Sequence, residues 1–161
     1  MNRIWIFGGT ASGKTTFANK LSRQLKLKHY TTDFMKYNKD FTKKFSEGTK
    51  ERKIKELARK KGWICEGTNN SEWVWPAFRM ADFVIILKPS PFIRARRLLN
   101  REINERKRKL GIKKIFYLLY VVFSYYLKGY RHHKNLANKF NKHFIVLRNE
   151  KEINKFLEEL K

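Results

Sequence analysis

The amino-acid sequence predicts an α/β fold, a parallel β-sheet layered between helices. Three observations carry the prediction: short apolar runs that stop at turn residues, helical patterns between those runs, and a glycine-rich loop joining the first run to the first helix. Parallel neighbours need a long crossover, and a helix is the usual way to make one.

Five runs qualify as strands: RIWIF (3–7), KHYTT (28–32), WICE (63–66), FVIIL (83–87) and FIVL (144–147). After the first, Phe17, Leu21 and Leu25 recur at i, i+4 spacing beside Ala18, which gives a helix from Lys14 onward one apolar face. The segment after the second run is polar and mostly helical, with a break expected near Gly48. Ile54, Leu57 and Ala58 mark its buried side, and Lys60-Lys61-Gly62 suits its end. SEWVWPAFRM reads as a short helix. PFIRARRLLNREINERKRK reads as a longer one, with Pro91 near its start. Gly111 interrupts before an aromatic helix, and Asn149 caps a final helix that buries Ile153, Phe156, Leu157 and Leu160.

Size and composition bound the rest. A chain of 161 residues buries roughly 70% of its unfolded surface and is expected to form one domain, 1–161. Cys65 is the only cysteine, so neither a disulfide framework nor a thiolate zinc site is available, and a reducing, cytoplasmic setting is expected. The N-terminal apolar run leads into the glycine loop rather than a cleavage site, so no signal peptide is read. The longest apolar run, Ile115 to Leu127, falls short of the roughly 20 residues a transmembrane helix needs. It is expected to be a core or interfacial helix, and its tyrosines and apolar neighbours suit one that covers a sheet. Its basic flanks also suit attachment to an anionic membrane surface. The formal net charge is +24, and no Asp or Glu occurs between Glu105 and Glu150, which implies anionic partners.

Gly8, Gly13, Lys14 and Thr15 satisfy the G-x-x-x-x-G-K-[ST] spacing, with a strand before it and an amphipathic helix after it. Such a loop wraps a phosphate with backbone N–H groups, while the lysine reaches the terminal phosphates and the hydroxyl binds Mg²⁺. The stretch expected to hold the nucleotide is Gly8, Gly9, Thr10, Ala11, Ser12, Gly13, Lys14, Thr15 and Thr16, with Thr15 toward the metal. A guanine-specific switch is excluded because the nearest N-K-x-D string, NKDF (38–41), ends in Phe41. A motor ATPase would place paired acids after an apolar strand, and the third strand ends in Glu66 alone.

Two carboxylates lie at strand ends, on the edge where open α/β sheets bind ligands. Asp33 follows the second strand and could orient or deprotonate an acceptor hydroxyl, hold Mg²⁺ through water, or cap the next helix. Glu66 ends the third strand beside Gly67 and suits a Walker-B-like role or a place on the acceptor side; a carboxylate at the surface edge is the plainer reading. Arg94, Arg97 and Arg101 share a helix face at i, i+3, i+7 and are expected to form a lid, approximately 94–114. Guanidiniums there would stabilise charge on a transferred phosphoryl group. Arg96, Arg106 and Arg108 suit a solvated face. His132 and His133 are adjacent and make a poor metal pair.

Taken in order, the loop, the acid after strand two, GWICEGTNN, ADFVIILKPSPFIRARRLLNR and FIVLRNEKEINKFL resemble the adenylate-kinase-like P-loop kinases known as DNA topology modulation proteins. The resemblance implies a P-loop NTPase three-layer sandwich with strand order 2-3-1-4-5, ATP and Mg²⁺ as ligands, and an arginine-bearing lid. It also implies that Gly8 to Thr15 bind the triphosphate while Asp33 and Glu66 face the acceptor. The chain departs from adenylate kinases at Glu66-Gly67-Thr68-Asn69, which lacks the proline and arginine of D-G-F-P-R. It also lacks the D-x-D of shikimate kinases, since Phe34 and Met35 follow Asp33. The expected function is transfer of the γ-phosphoryl group of ATP to a small acceptor such as a nucleotide or nucleoside. The alternative is an ATP-regulated nucleic-acid-binding protein that uses the basic region 94–148 and its interleaved Phe116, Tyr117, Tyr120, Tyr125 and Tyr126.

Overall fold

The structure is a computed structural model that describes residues 2–38, 42–105 and 111–160. Its sheet has five parallel strands, β1 (Arg3–Gly8), β2 (His29–Thr31), β3 (Trp63–Gly67), β4 (Phe83–Leu87) and β5 (Phe144–Leu147), in the order β2-β3-β1-β4-β5. Each expected strand forms. β2 is shorter than expected because Thr32 already opens a helix, for which the Thr31 hydroxyl accepts the Asp33 N–H at 3.3 Å.

Side chains alternate across a strand, so a strand buried on both faces reads as an unbroken apolar run. Trp5, Phe7, Trp63, Cys65, Val84 and Ile86 point to one face of the sheet. There they meet Ile54 and Leu57 of α3 (Glu47–Ala58), Ala77 and Phe78 of α4 (Trp75–Met80), and Leu136 and Ala137 of α7 (Tyr130–Lys139). Ile4, Ile6, Ile64, Ile85 and Leu87 point to the other face. They meet Phe17, Ala18 and Leu21 of α1 (Lys14–Leu25) and Ile153, Phe156 and Leu157 of α8 (Glu150–Glu158). The result is three layers, each large side chain contributing about 1.5–3 kcal/mol by leaving water.

The polar stretch after β2 resolves into α2 (Thr32–Lys36) and α3, and the break falls before Gly48, not at it. Ser46 caps α3, its hydroxyl accepting the Thr49 N–H at 3.3 Å, so Gly48 sits inside the first turn. Helix α5 (Pro91–Asn100) continues as a π turn, Arg101–Glu105. The expected lid, 94–114, is thus described only for 94–105 and 111–114; Arg106 and Arg108 lie outside the described residues. The aromatic helix is α6 (Ile112–Ser124), which runs through a second π turn, Tyr125–Gly129, into α7. It does not cover the sheet as expected. Leu118 and Val122 pack on Ala95 and Leu98 of α5, while α7 covers the sheet. Most of the other large apolar side chains of α6 are exposed.

Candidate active site

The loop between β1 and α1 is shaped by two left-handed residues, Ala11 at φ 60° and Gly13 at φ 85°. The Ser12 N–H donates to the Gly9 carbonyl at 3.1 Å and closes the turn. Gly8 cannot carry a side chain without meeting the Ser12 hydroxyl, and at Gly9 one would meet the Arg94 guanidinium. No side chain caps α1 and no acid occupies its first turn. Its leading N–H groups and positive dipole end are therefore left for an anion.

Beneath the loop lies Glu66, 2% exposed at the end of β3, paired in register with Ile6 and Thr31. The Thr15 hydroxyl donates to its Oε1 at 2.9 Å, and Lys14 Nζ lies 3.9 Å from Oε2. Oε2 is buried and has no hydrogen-bond partner among the described residues. A buried carboxylate oxygen with a lysine nearby but no hydrogen bond, next to a threonine hydroxyl, fits a divalent cation reached through the Thr15 hydroxyl or a water. The residues present thus suit Mg²⁺ on a nucleotide phosphate.

Two cavities meet at Thr15. One, of about 590 Å³, runs along Ala11 to Phe17 and is walled by Arg97, Asn100, Arg101, Asn104, Glu150 and Ile153. The other, of about 490 Å³, is lined by Thr15, Asn19, His29, Tyr30, Thr31, Phe34, Met35, Lys53, Glu56, Leu57 and Lys60.

The expected site residues fall into three groups. Lys14 and Thr15 of the Gly8 to Thr16 loop lie against Glu66. Arg97 and Arg101 face the loop across the first cavity, with Arg97 Nη1 only 3.4 Å from where a Cβ at Gly13 would stand. Arg94 and Asp33 are placed differently. Arg94 is 1% exposed, donating Nε–H to the Thr10 carbonyl at 3.0 Å and Nη1–H to the Val122 carbonyl at 3.2 Å, with Tyr125 stacked 4.6 Å from its guanidinium. It braces the loop from below instead of closing over it. Asp33 is exposed in the first turn of α2, outside the wall made by its neighbours Thr31, Phe34 and Met35.

Two histidines join the site unannounced. His29 Nδ1 lies 2.8 Å from Asn19 Oδ1, a pairing that needs the proton on Nδ1. Its Nε2 is buried without a hydrogen-bond partner among the described residues, 3.9 Å from Glu66 Oε1. Burial holds its pKa below the ordinary histidine value against the opposing pull of Glu66, so the ring is neutral at pH 7. Its position in a strand that ends at the ligand-binding edge was the available signal. His133, on α7, stacks on Phe7 with ring centroids 4.0 Å apart; Nε2–H donates to the Thr68 carbonyl at 3.0 Å, and Nδ1 accepts from the Tyr125 hydroxyl at 2.9 Å. No local pattern announces it.

No protein-family model and no curated protein matches the chain. Solved structures do. A shikimate kinase from Acinetobacter baumannii, in complex with shikimate, superposes over 99% of this chain and 90% of its own, with a TM-score of 0.62 at 14% identity. One from Bacteroides thetaiotaomicron covers 99% and 96%, with a TM-score of 0.63 at 15% identity. The chain has the P-loop kinase fold. At such identities the likeness establishes architecture alone. In a P-loop kinase fold the 2-3-1-4-5 order sets β1 at the sheet centre, with Glu66 on the neighbouring strand and the glycine loop above both.

Proposed function

We propose that the protein is an ATP-dependent phosphotransferase acting on a small-molecule acceptor that carries a hydroxyl group. The observation that carries this reading is the meeting of two cavities at Thr15, directly above the buried Glu66. When bound near Lys14, Thr15 and Glu66, ATP with Mg²⁺ would supply the phosphoryl group and a divalent charge to offset its negative oxygens.

The chain's own residues do the remainder. The loop N–H groups between Gly9 and Thr16, other than that of Ser12, which bonds the Gly9 carbonyl, cradle the phosphates, and Lys14 binds the terminal ones. Thr15 and Glu66 orient the metal side. Arg97 and Arg101 offset charge on the transferred group from across the first cavity. Arg94 acts through the loop, fixing the Thr10 carbonyl. On the acceptor side, Tyr30 and Phe34 contribute aromatic lining while Lys53 and Lys60 favour an anionic substituent. This chemistry suits a nucleotide or nucleoside acceptor. The neutral His29 is placed to take the hydroxyl proton on Nε2, and Asp33 is left to bind acceptor polar groups outside the wall. Membership of the DNA topology modulation group rests on the sequence resemblance. An ATP-regulated nucleic-acid binder has only the basic, acid-free stretch behind it, and of its five aromatics Tyr125 is committed to Arg94 and His133.

The test is ADP release by wild type and Lys14→Ala across a panel of nucleosides, nucleotides and hydroxy acids. Acceptor-stimulated release in wild type alone supports the reading; its absence across the panel in a folded, ATP-binding protein overturns it.

A further inference from the structure

The outward face of α6 carries a stripe that the proposed reaction does not use. Ile112, Phe116, Tyr120 and Phe123 fall within an arc of about 80° at 3.6 residues per turn, and Leu127 extends them into the π turn. Ile112, Phe116 and Tyr120 are 72%, 68% and 70% exposed, and Leu127 is 62% exposed. Phe92 of α5, 74% exposed, meets Phe123 edge-on at 5.9 Å and widens the stripe. The opposite side of α6 is spent on the α5 contact through Leu118 and Val122. A contiguous apolar surface of this kind marks an interaction site.

Its charge setting selects the occupant. Exposed Lys113, Lys114, Lys128 and Arg131 flank the stripe, and residues 106–149 hold twelve Lys and Arg with no Asp or Glu. A second copy of a chain with net charge +24 would bring the same cations face to face. A nucleic-acid strand gains nothing from Ile112, Leu127 and an edge-packed Phe92, which offer no flat platform among the cations. Hydrocarbon beneath a layer of anionic headgroups meets both needs, with Tyr117 and Tyr120 suited to the polar boundary. Among the described residues no helix is long and apolar enough to cross a membrane, so α6 can only lie along one.

We propose that α6 docks the protein onto an anionic lipid bilayer, its stripe of Ile112, Phe116, Tyr120, Phe123 and Leu127 entering the interface while the flanking cations meet lipid phosphates. The inference is independent of the phosphotransferase reading. The surface does join the glycine loop physically, because the Val122 carbonyl, beside Phe123, accepts Arg94 Nη1–H while Arg94 Nε–H is held by the Thr10 carbonyl.

The full chain is sedimented with vesicles of phosphatidylcholine alone and with vesicles containing phosphatidylglycerol, at low and high salt. The comparison protein is the triple variant Phe116→Ser, Tyr120→Ser, Phe123→Ser, which changes exposed side chains and should keep the wild-type circular dichroism. Salt-sensitive binding to the anionic vesicles, lowered about tenfold or more in the variant, is the expected result. Equal binding by the variant, or no preference for anionic vesicles, overturns the proposal. A vesicle-independent dimer lost in the variant reassigns the stripe to a second copy. Variant-sensitive duplex DNA binding with no vesicle binding reassigns it to nucleic acid. Either result also overturns the proposal.

Discussion

Acidification tests the packing around His133 quantitatively. The ring is 2% exposed, and its pKa is pushed down to about 4, first by burial and then by the positive charges of His132 and Lys14, with the Thr68 carbonyl pulling the other way. The folded value lies below the unfolded 6.5, so as pH falls the unfolded chain takes the proton first. The stability contribution is whole above pH 6.5 and is lost as pH falls toward 4. At about 1.36 kcal/mol per pKa unit, the drop from 6.5 to about 4 corresponds to about 3 kcal/mol. His133→Phe keeps the stack on Phe7 but cannot titrate. At pH 7 it should be about 1–3 kcal/mol less stable than wild type, for the lost Thr68 and Tyr125 hydrogen bonds. By pH 4 that deficit should shrink by about 3 kcal/mol or reverse, while the titration of other groups such as His29 cancels in the comparison. Urea denaturation of both proteins at the two pH values reads the difference. A gap that stays constant to within about 0.5 kcal/mol would refute the assignment of His133 as a buried, neutral ring.

Four further expectations concern the loop and the carboxylate beside it. Arg94→Met removes two hydrogen bonds made by a buried charged donor, to the Thr10 and Val122 carbonyls, so urea denaturation should show a loss of about 3 kcal/mol, whereas Arg97→Ala should lower turnover and leave stability nearly unchanged. Gly13→Ala forces a side chain into a left-handed conformation at a cost of about 1–2 kcal/mol, visible as a lower thermal midpoint; the nearest neighbour, Arg97 at 3.4 Å, adds no clash. Glu66→Gln keeps the volume but removes the charge. Calorimetry should show weaker Mg²⁺-dependent ATP binding, and turnover should fall about 10²–10³-fold.

The parallel sheet and the phosphate loop were legible because both are encoded locally. A strand buried on two faces must be apolar throughout, and a loop that wraps phosphate needs its glycines and lysine at fixed spacing. Glu66 was legible for the same reason, as an acid at a strand end. Arg94 was half legible. Its i, i+3, i+7 partners Arg97 and Arg101 do face the loop, but only packing against α6 shows that Arg94 turns under it. His133 stacks on Phe7 and bonds the Thr68 carbonyl, 65 residues away in sequence, and no window of sequence contains such a meeting. Which setting the aromatic helix takes, core or interfacial, was not legible, because an apolar face looks the same in sequence whether it meets a sheet, another helix or solvent.

The central claim is that the cavities meeting at Thr15 are the two halves of a transfer site. It is tested most directly by following the γ-phosphate of labelled ATP in the presence of candidate acceptors. The account predicts label in a small-molecule product with wild type and none with Lys14→Ala. Label recovered only as inorganic phosphate, at a rate that no acceptor changes, would contradict it.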